Sequence, residues 1–152
     1  MKRHLNLLFQ GVIWLLFSFI LGCARTPTAN INLQAANYLN PDIYKHSSPV
    51  VVTIYQLKSS AAFQQANFFA LSNNPLGTLG SDLLDKQEIE LRPKQTQNLK
   101  IPLSPEANYI GIIGAFRDPD HAQWRKLVKI EPRSSLKLQV NLATQNVIAI
   151  IH

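Results

Sequence analysis

One cysteine, Cys23, is all the chain has in 152 residues, so no disulfide forms within it and Cys-x-x-Cys metal or redox sites are excluded. Histidine is nearly as scarce. Beyond His4 only His46, His121 and the terminal His152 remain, too few for most zinc or nucleophile–base schemes. There is no Gly-x-Ser-x-Gly elbow, no His-Glu-x-x-His and no phosphate-cradling glycine loop. The paired carboxylates Glu88 and Glu90 share a strand face beside a strand end, where solvation explains them. Fifteen basic residues stand against nine acidic ones, a net charge of +6. They form no run of five or six, which argues against nucleic acid as a partner. Elimination favours a binding or structural role.

What the chain does have starts at its first residues. Lys2, Arg3 and His4 make a basic start, and Leu5 to Leu21 is an apolar run interrupted only by Asn6, Gln10, Gly11 and Ser18. That is the layout of an export signal. A membrane-spanning helix competes with it, since about 20 apolar residues cross a bilayer. Ile20-Leu21-Gly22-Cys23 resembles the lipobox of bacterial lipoproteins, which implies cleavage before Cys23, acylation of that residue and three acyl chains on it. Several chains anchor durably where one does not. Ala24, in place of an aspartate after the cysteine, implies the outer membrane, with the domain facing the periplasm. The expected division is a signal peptide over 1–22, a lipidated tether over 23–29 and one domain over 30–152. Without Lys2 and Arg3, thirteen basic residues face nine acidic ones and the mature charge is +4.

The rest of the chain reads as short strands. Asn30 to Ala35 alternates, with Ile31, Leu33 and Ala35 on one face. Asn37 to Asp42 turns, and the connection to Pro49 is long for a hairpin and carries Ile43 and Tyr44. Both residues either tuck back against the domain or mark a binding loop. Val50 to Leu57 is apolar at both parities and needs cover on both faces. A helical insert follows, capped by Ser59 or Ser60 and ended by Asn73-Asn74-Pro75. Its stripe of Phe63, Ala66 and Ala70 reads as core contact rather than as a ligand pocket. Leu76 to Asp85 reads as an irregular crossing. Further strands are expected at Lys86–Leu91, Thr96–Leu103, Asn108–Phe116, Trp124–Ile130 and Leu136–Leu142, with Val147–Ile151 as a last buried strand. Gly111 and Gly114 mark bulges or close backbone approach. Asp118, Asp120 and His121 could together ligate a metal, but Asp-Pro-Asp is also turn chemistry. Eight strands with one helical insert after the second make an all-β, two-sheet sandwich.

Several stretches in this order resemble the outer-membrane lipoprotein family of the type VI secretion system, known as TssJ, SciN, VasD or Lip. They are Leu39-Asn40-Pro41-Asp42; Pro49 to Lys58 with Phe63 and Asn67 to Leu71; Leu79 to Leu84; and Tyr109 to Asp118 with Trp124-Arg125. Thr53, where members often carry a basic residue, and the missing Gly-Arg pair before Pro49 depart from the pattern. The resemblance implies a transthyretin-like sandwich with no catalysis and no cofactor. It also implies that the chain tethers the secretion apparatus by binding the periplasmic C-terminal region of the inner-membrane protein TssM. The loop between the first two strands takes part, which on this chain means Asn40, Pro41, Asp42, Ile43, Tyr44, Lys45 and His46 with Ser47 and Ser48. The alternative is a periplasmic sandwich lipoprotein binding a small ligand, or a metal at Asp118, Asp120 and His121.

Overall fold

The structure, a computed structural model, describes residues 26–131 and 134–152. The leader over 1–22, Cys23 and the tether up to Arg25 lie outside the described residues, as do Pro132 and Arg133. No helix among the described residues is long and apolar enough to cross a membrane.

Eight strands form: β1 (Thr28–Ala35), β2 (Val50–Leu57), β3 (Leu83–Leu91), β4 (Thr96–Pro102), β5 (Tyr109–Gly114), β6 (Arg125–Lys129), β7 (Leu136–Leu142) and β8 (Val147–Ile151). They build two four-stranded sheets, ordered β4-β1-β7-β8 and β3-β2-β5-β6. β1 pairs antiparallel with β4 and parallel with β7. The alternation in β1 and β7 buries Ala29, Ile31, Leu33 and Ala35 beside Leu136, Leu138, Val140 and Leu142. Across the gap they meet Val50, Val52 and Ile54 of β2 and Ile110 and Ile112 of β5 in one core. Leucine and isoleucine side chains buried in this way stabilise by about 1.5–3 kcal/mol each.

The other parity of β2 explains the insert. Tyr55 and Leu57 point away from the core and are still buried, because three short helices cover them. These are α1 (Ala61–Gln65), α2 (Phe68–Asn73) and α3 (Pro75–Leu79), followed by a 3-10 turn at Gly80–Asp82. The expectation that Asn73-Asn74-Pro75 ends the insert is overturned. Asn74 accepts from the Gly77 amide and Pro75 takes the first helical position, where its missing N–H is no loss. The stretch from Leu76 is therefore helical, and β3 starts at Leu83. Nor does a serine hydroxyl cap α1 through Ser60; the Ser59 hydroxyl accepts from Ala61 N at 3.4 Å.

Gly111 is the close approach expected of it. A Cβ there would sit 2.7 Å from the Phe63 ring, which lies against β5. β8 is not the buried strand that its apolar run suggests. Only Val147 is buried, and Ile148, Ile150 and Ile151 are exposed, because β8 forms a sheet edge and none of the described residues covers its outer face. Trp124 precedes β6 and packs against both core layers.

Candidate functional site

The connection between β1 and β2 crosses from one sheet to the other, at the end of the sandwich opposite Thr28. Its root is a set of hydrogen bonds centred on Asn40. Backbone N–H of Asn40 donates to the Thr144 carbonyl at 2.8 Å. Its side-chain Nδ2 donates to the Pro49 carbonyl at 2.8 Å, and Oδ1 accepts from the Arg117 amide at 2.8 Å. Three connections are thus tied together by one residue, two through its side-chain amide and the third through its backbone N–H. Asn40 has φ 44°, a left-handed geometry that asparagine tolerates better than most residues. Leu39, fully buried, accepts from the Ser48 amide and closes the loop's neck.

Above that neck the chain makes a compact finger from Asp42 to His46. The Asp42 amide donates to the His46 carbonyl and the Lys45 amide to the Asp42 carbonyl, both at 2.9 Å. Oδ1 of Asp42 accepts from the amides of Tyr44 and His46 at 2.9 and 2.8 Å. The backbone bond from His46, above all, holds the Asp42 carboxyl below its ordinary pKa, opposed by partial desolvation. Lys45 takes φ 66° to complete the turn. With the backbone folded inward, Ile43 and Tyr44 project outward at 88% and 74% exposure. An apolar and an aromatic side chain displayed on a hydrogen-bonded backbone are pre-organised for contact, so little loop entropy is lost on binding.

Asp42, Ile43, Tyr44, Lys45 and His46 are therefore brought together on one projection, and Pro41 lies half-buried at its root. Asn40 does not belong with them as a contact residue. It is 3% exposed and all its polar atoms serve the root. Sequence reasoning missed Thr144, Arg117 and Ser48 as the anchoring groups; the Arg117 guanidinium also reaches Ser48 Oγ at 3.3 Å. An asparagine before a proline was the available signal, and it reads first as a turn.

Asp118 and His121 lie on the neighbouring β5–β6 connection and bind each other, Nδ1 to Oδ2 at 2.8 Å. That hydrogen bond lowers the Asp118 pKa and raises that of His121. Among the described residues no group of three histidine, cysteine, aspartate or glutamate side chains is placed to hold a metal ion. The segment is a turn whose imidazole is engaged by its own carboxylate.

The family model described as type VI secretion lipoprotein, VasD, EvfM, TssJ, matches residues 27–145. The chain is similar to the type VI secretion lipoprotein TssJ1 of Pseudomonas aeruginosa, with 30% identity and a TM-score of 0.81, covering 84% of this chain and 98% of that one. It is also similar to Lip of Serratia marcescens, a membrane-bound component of that system, at 22% identity and TM-score 0.75, covering 81% and 96%. A solved structure described as the TssM C-terminal domain from EAEC matches in fold at 22% identity and TM-score 0.67, covering 81% and 97%. No curated protein sequence matches the chain.

Proposed function

The chain belongs to the type VI secretion lipoprotein family, and from that premise we propose that it is a non-enzymatic tether. Lipid on Cys23 fixes it to the outer membrane, and the Asp42–His46 finger binds the periplasmic C-terminal region of TssM. The observation that carries this reading is the placement of two ends. Thr28 enters at the pole where β4 finishes, beside Pro102, and Pro27 accepts from Leu103 there. The finger leaves from the other pole, beyond Ala35. Eight extended residues separate them, about 23 Å along β1. A domain held at the first pole presents Ile43 and Tyr44 away from the membrane. The family to which the chain belongs supports a partner within the secretion system, and the apolar tip supports a protein contact.

Capture by the immobilised periplasmic region of TssM tests it. The Ile43→Asp/Tyr44→Asp chain is expected to fold with an unchanged circular dichroism spectrum and to bind at least ten-fold more weakly. Undiminished capture removes the finger as the contact, and no capture by the unaltered chain removes TssM as the partner. Cys23→Ser is expected to leave the membrane fraction; if it stays there, the leader is a retained helix.

A further inference from the structure

The first sheet has an outer face that no helix among the described residues covers, and its side-chain charge is one-sided. Lys100 pairs with Asn30 on one side, and Lys137 pairs with Asn30 on the other. The His152 amide donates to the Lys137 carbonyl, so Lys100, Asn30, Lys137 and His152 form one row across the sheet. All four are exposed. With strands about 4.8 Å apart, the two lysines stand about 10 Å from each other. Among the described residues neither enters an ion pair. The row borders an open depression of ≈ 530 Å³ whose other outward side chains are the amides Asn32, Asn98 and Gln139. The outward side chains of these four strands include no carboxylate, and no tyrosine, tryptophan or phenylalanine on which a sugar ring would stack. The second sheet is different, with Glu88 and Glu90 exposed on the outer side of β3.

Position along the strands adds to charge. The row sits two residues, about 7 Å, above the start of β1. Seven residues separate Cys23 from Asn30, so the chain allows at most about 25 Å between lipid and row. A cationic row bounded by amide donors, confined to the anchored pole, matches a plane of phosphate groups. We propose that this face contacts anionic phospholipid headgroups and thereby sets the orientation of the anchored domain. The acyl chains already hold the protein; the lysines choose which side of it meets the bilayer. The inference rests on the tether reading for its anchor, not for its partner.

The test uses the full chain held in vesicles by its own N-terminal anchor, with Asn98→Cys carrying an environment-sensitive fluorophore on the same face. Nitroxide lipids at headgroup depth are expected to quench it in vesicles with about one-third phosphatidylglycerol. Quenching should fall about five-fold for each of Lys100→Gln and Lys137→Gln, in 1 M salt, where the screening length shrinks to about 3 Å, and in pure phosphatidylcholine. Equal quenching in charged and neutral vesicles, or no effect of the lysine changes, overturns the proposal. TssM capture by the same lysine variants should stay at the unaltered level. Lost capture by the unaltered chain with quenching intact removes the tether's partner and leaves the membrane face standing.

Discussion

Asn40 spends both ends of its amide on backbone groups of other segments, and its left-handed backbone adds a second constraint. Asn40→Ala leaves the Pro49 carbonyl and Arg117 amide without their partner and strains φ, and is expected to cost about 2–4 kcal/mol in chemical denaturation. Asn40→Gly loses the same bonds without the strain and should cost about 1 kcal/mol less. Asp42 acts by charge. Because its folded pKa is lowered, its contribution is complete above the ordinary carboxylate value of about 4 and disappears as pH falls through the lowered value. Protection of the Tyr44 and His46 amides, relative to their intrinsic exchange rates, should fall as pH drops through that lowered value in the native chain, and at neutral pH in Asp42→Ala. Unchanged exchange in that variant would refute the finger's hydrogen-bond account. The sequence revealed Ile43 and Tyr44 by their wrong polarity for a loop. It hid Asn40 because an asparagine amide on partners 9 and 77 residues away has no local pattern.

Among the elements, the insert is the one that most needs its neighbours. Helices of five or six residues do not persist alone, and their last carbonyls lack helical partners. The sheet below supplies them. Tyr55 donates from its hydroxyl to the Leu71 carbonyl at 3.0 Å, and Arg125 donates to the carbonyls of Phe63 and Ala66, both at 2.9 Å. Arg125 also lies over the Trp124 ring at 4.8 Å, a cation–π contact. Arg125→Met is therefore expected to cost about 2–3 kcal/mol and to raise amide exchange over 61–79 more than in β1 or β7. Gly111→Ala drives a methyl into Phe63 and should cost about 1–3 kcal/mol as overpacking. Burial pushes the Tyr55 phenol up to about 12. The unfolded chain ionises it near 10, so the hydroxyl's contribution is whole below pH 10 and wanes between 10 and 12. Tyr55→Phe should lose stability at neutral pH, by about 1–2 kcal/mol, and lose that share of the alkaline fall. The apolar residues at both parities of β2 foretold a cover for this face. They did not foretell three helices, since Asn74-Pro75 serves equally as a stop and as a start.

At the scale of the molecule the two sheets are joined at the pole where β1 begins by Gln56. Its Nε2 donates to the Pro102 carbonyl and its Oε1 accepts from the Ser104 amide, at 2.9 and 2.8 Å. Gln56→Leu should lower the midpoint of cooperative unfolding as a whole, by about 1–3 kcal/mol, rather than loosening one element; exchange confined to residues 100–108 would contradict that. The order of the sheets, by contrast, was not open to reading from the chain. Side-chain alternation reports which residues share a face, because it depends on neighbours two positions apart. By itself the sequence thus determined eight strand segments, the inward faces of β1 and β7, the need to cover β2 twice and the absence of Gly-x-Ser-x-Gly, His-Glu-x-x-His and Cys-x-x-Cys motifs. Only the tertiary structure decided that β1 runs parallel to β7, that β8 is an exposed edge, that Asn40 ties three connections together and that Lys100 and Lys137 stand in one row. Each of these depends on pairing between segments far apart along the chain, where free energy is set by what a strand meets and not by the strand alone.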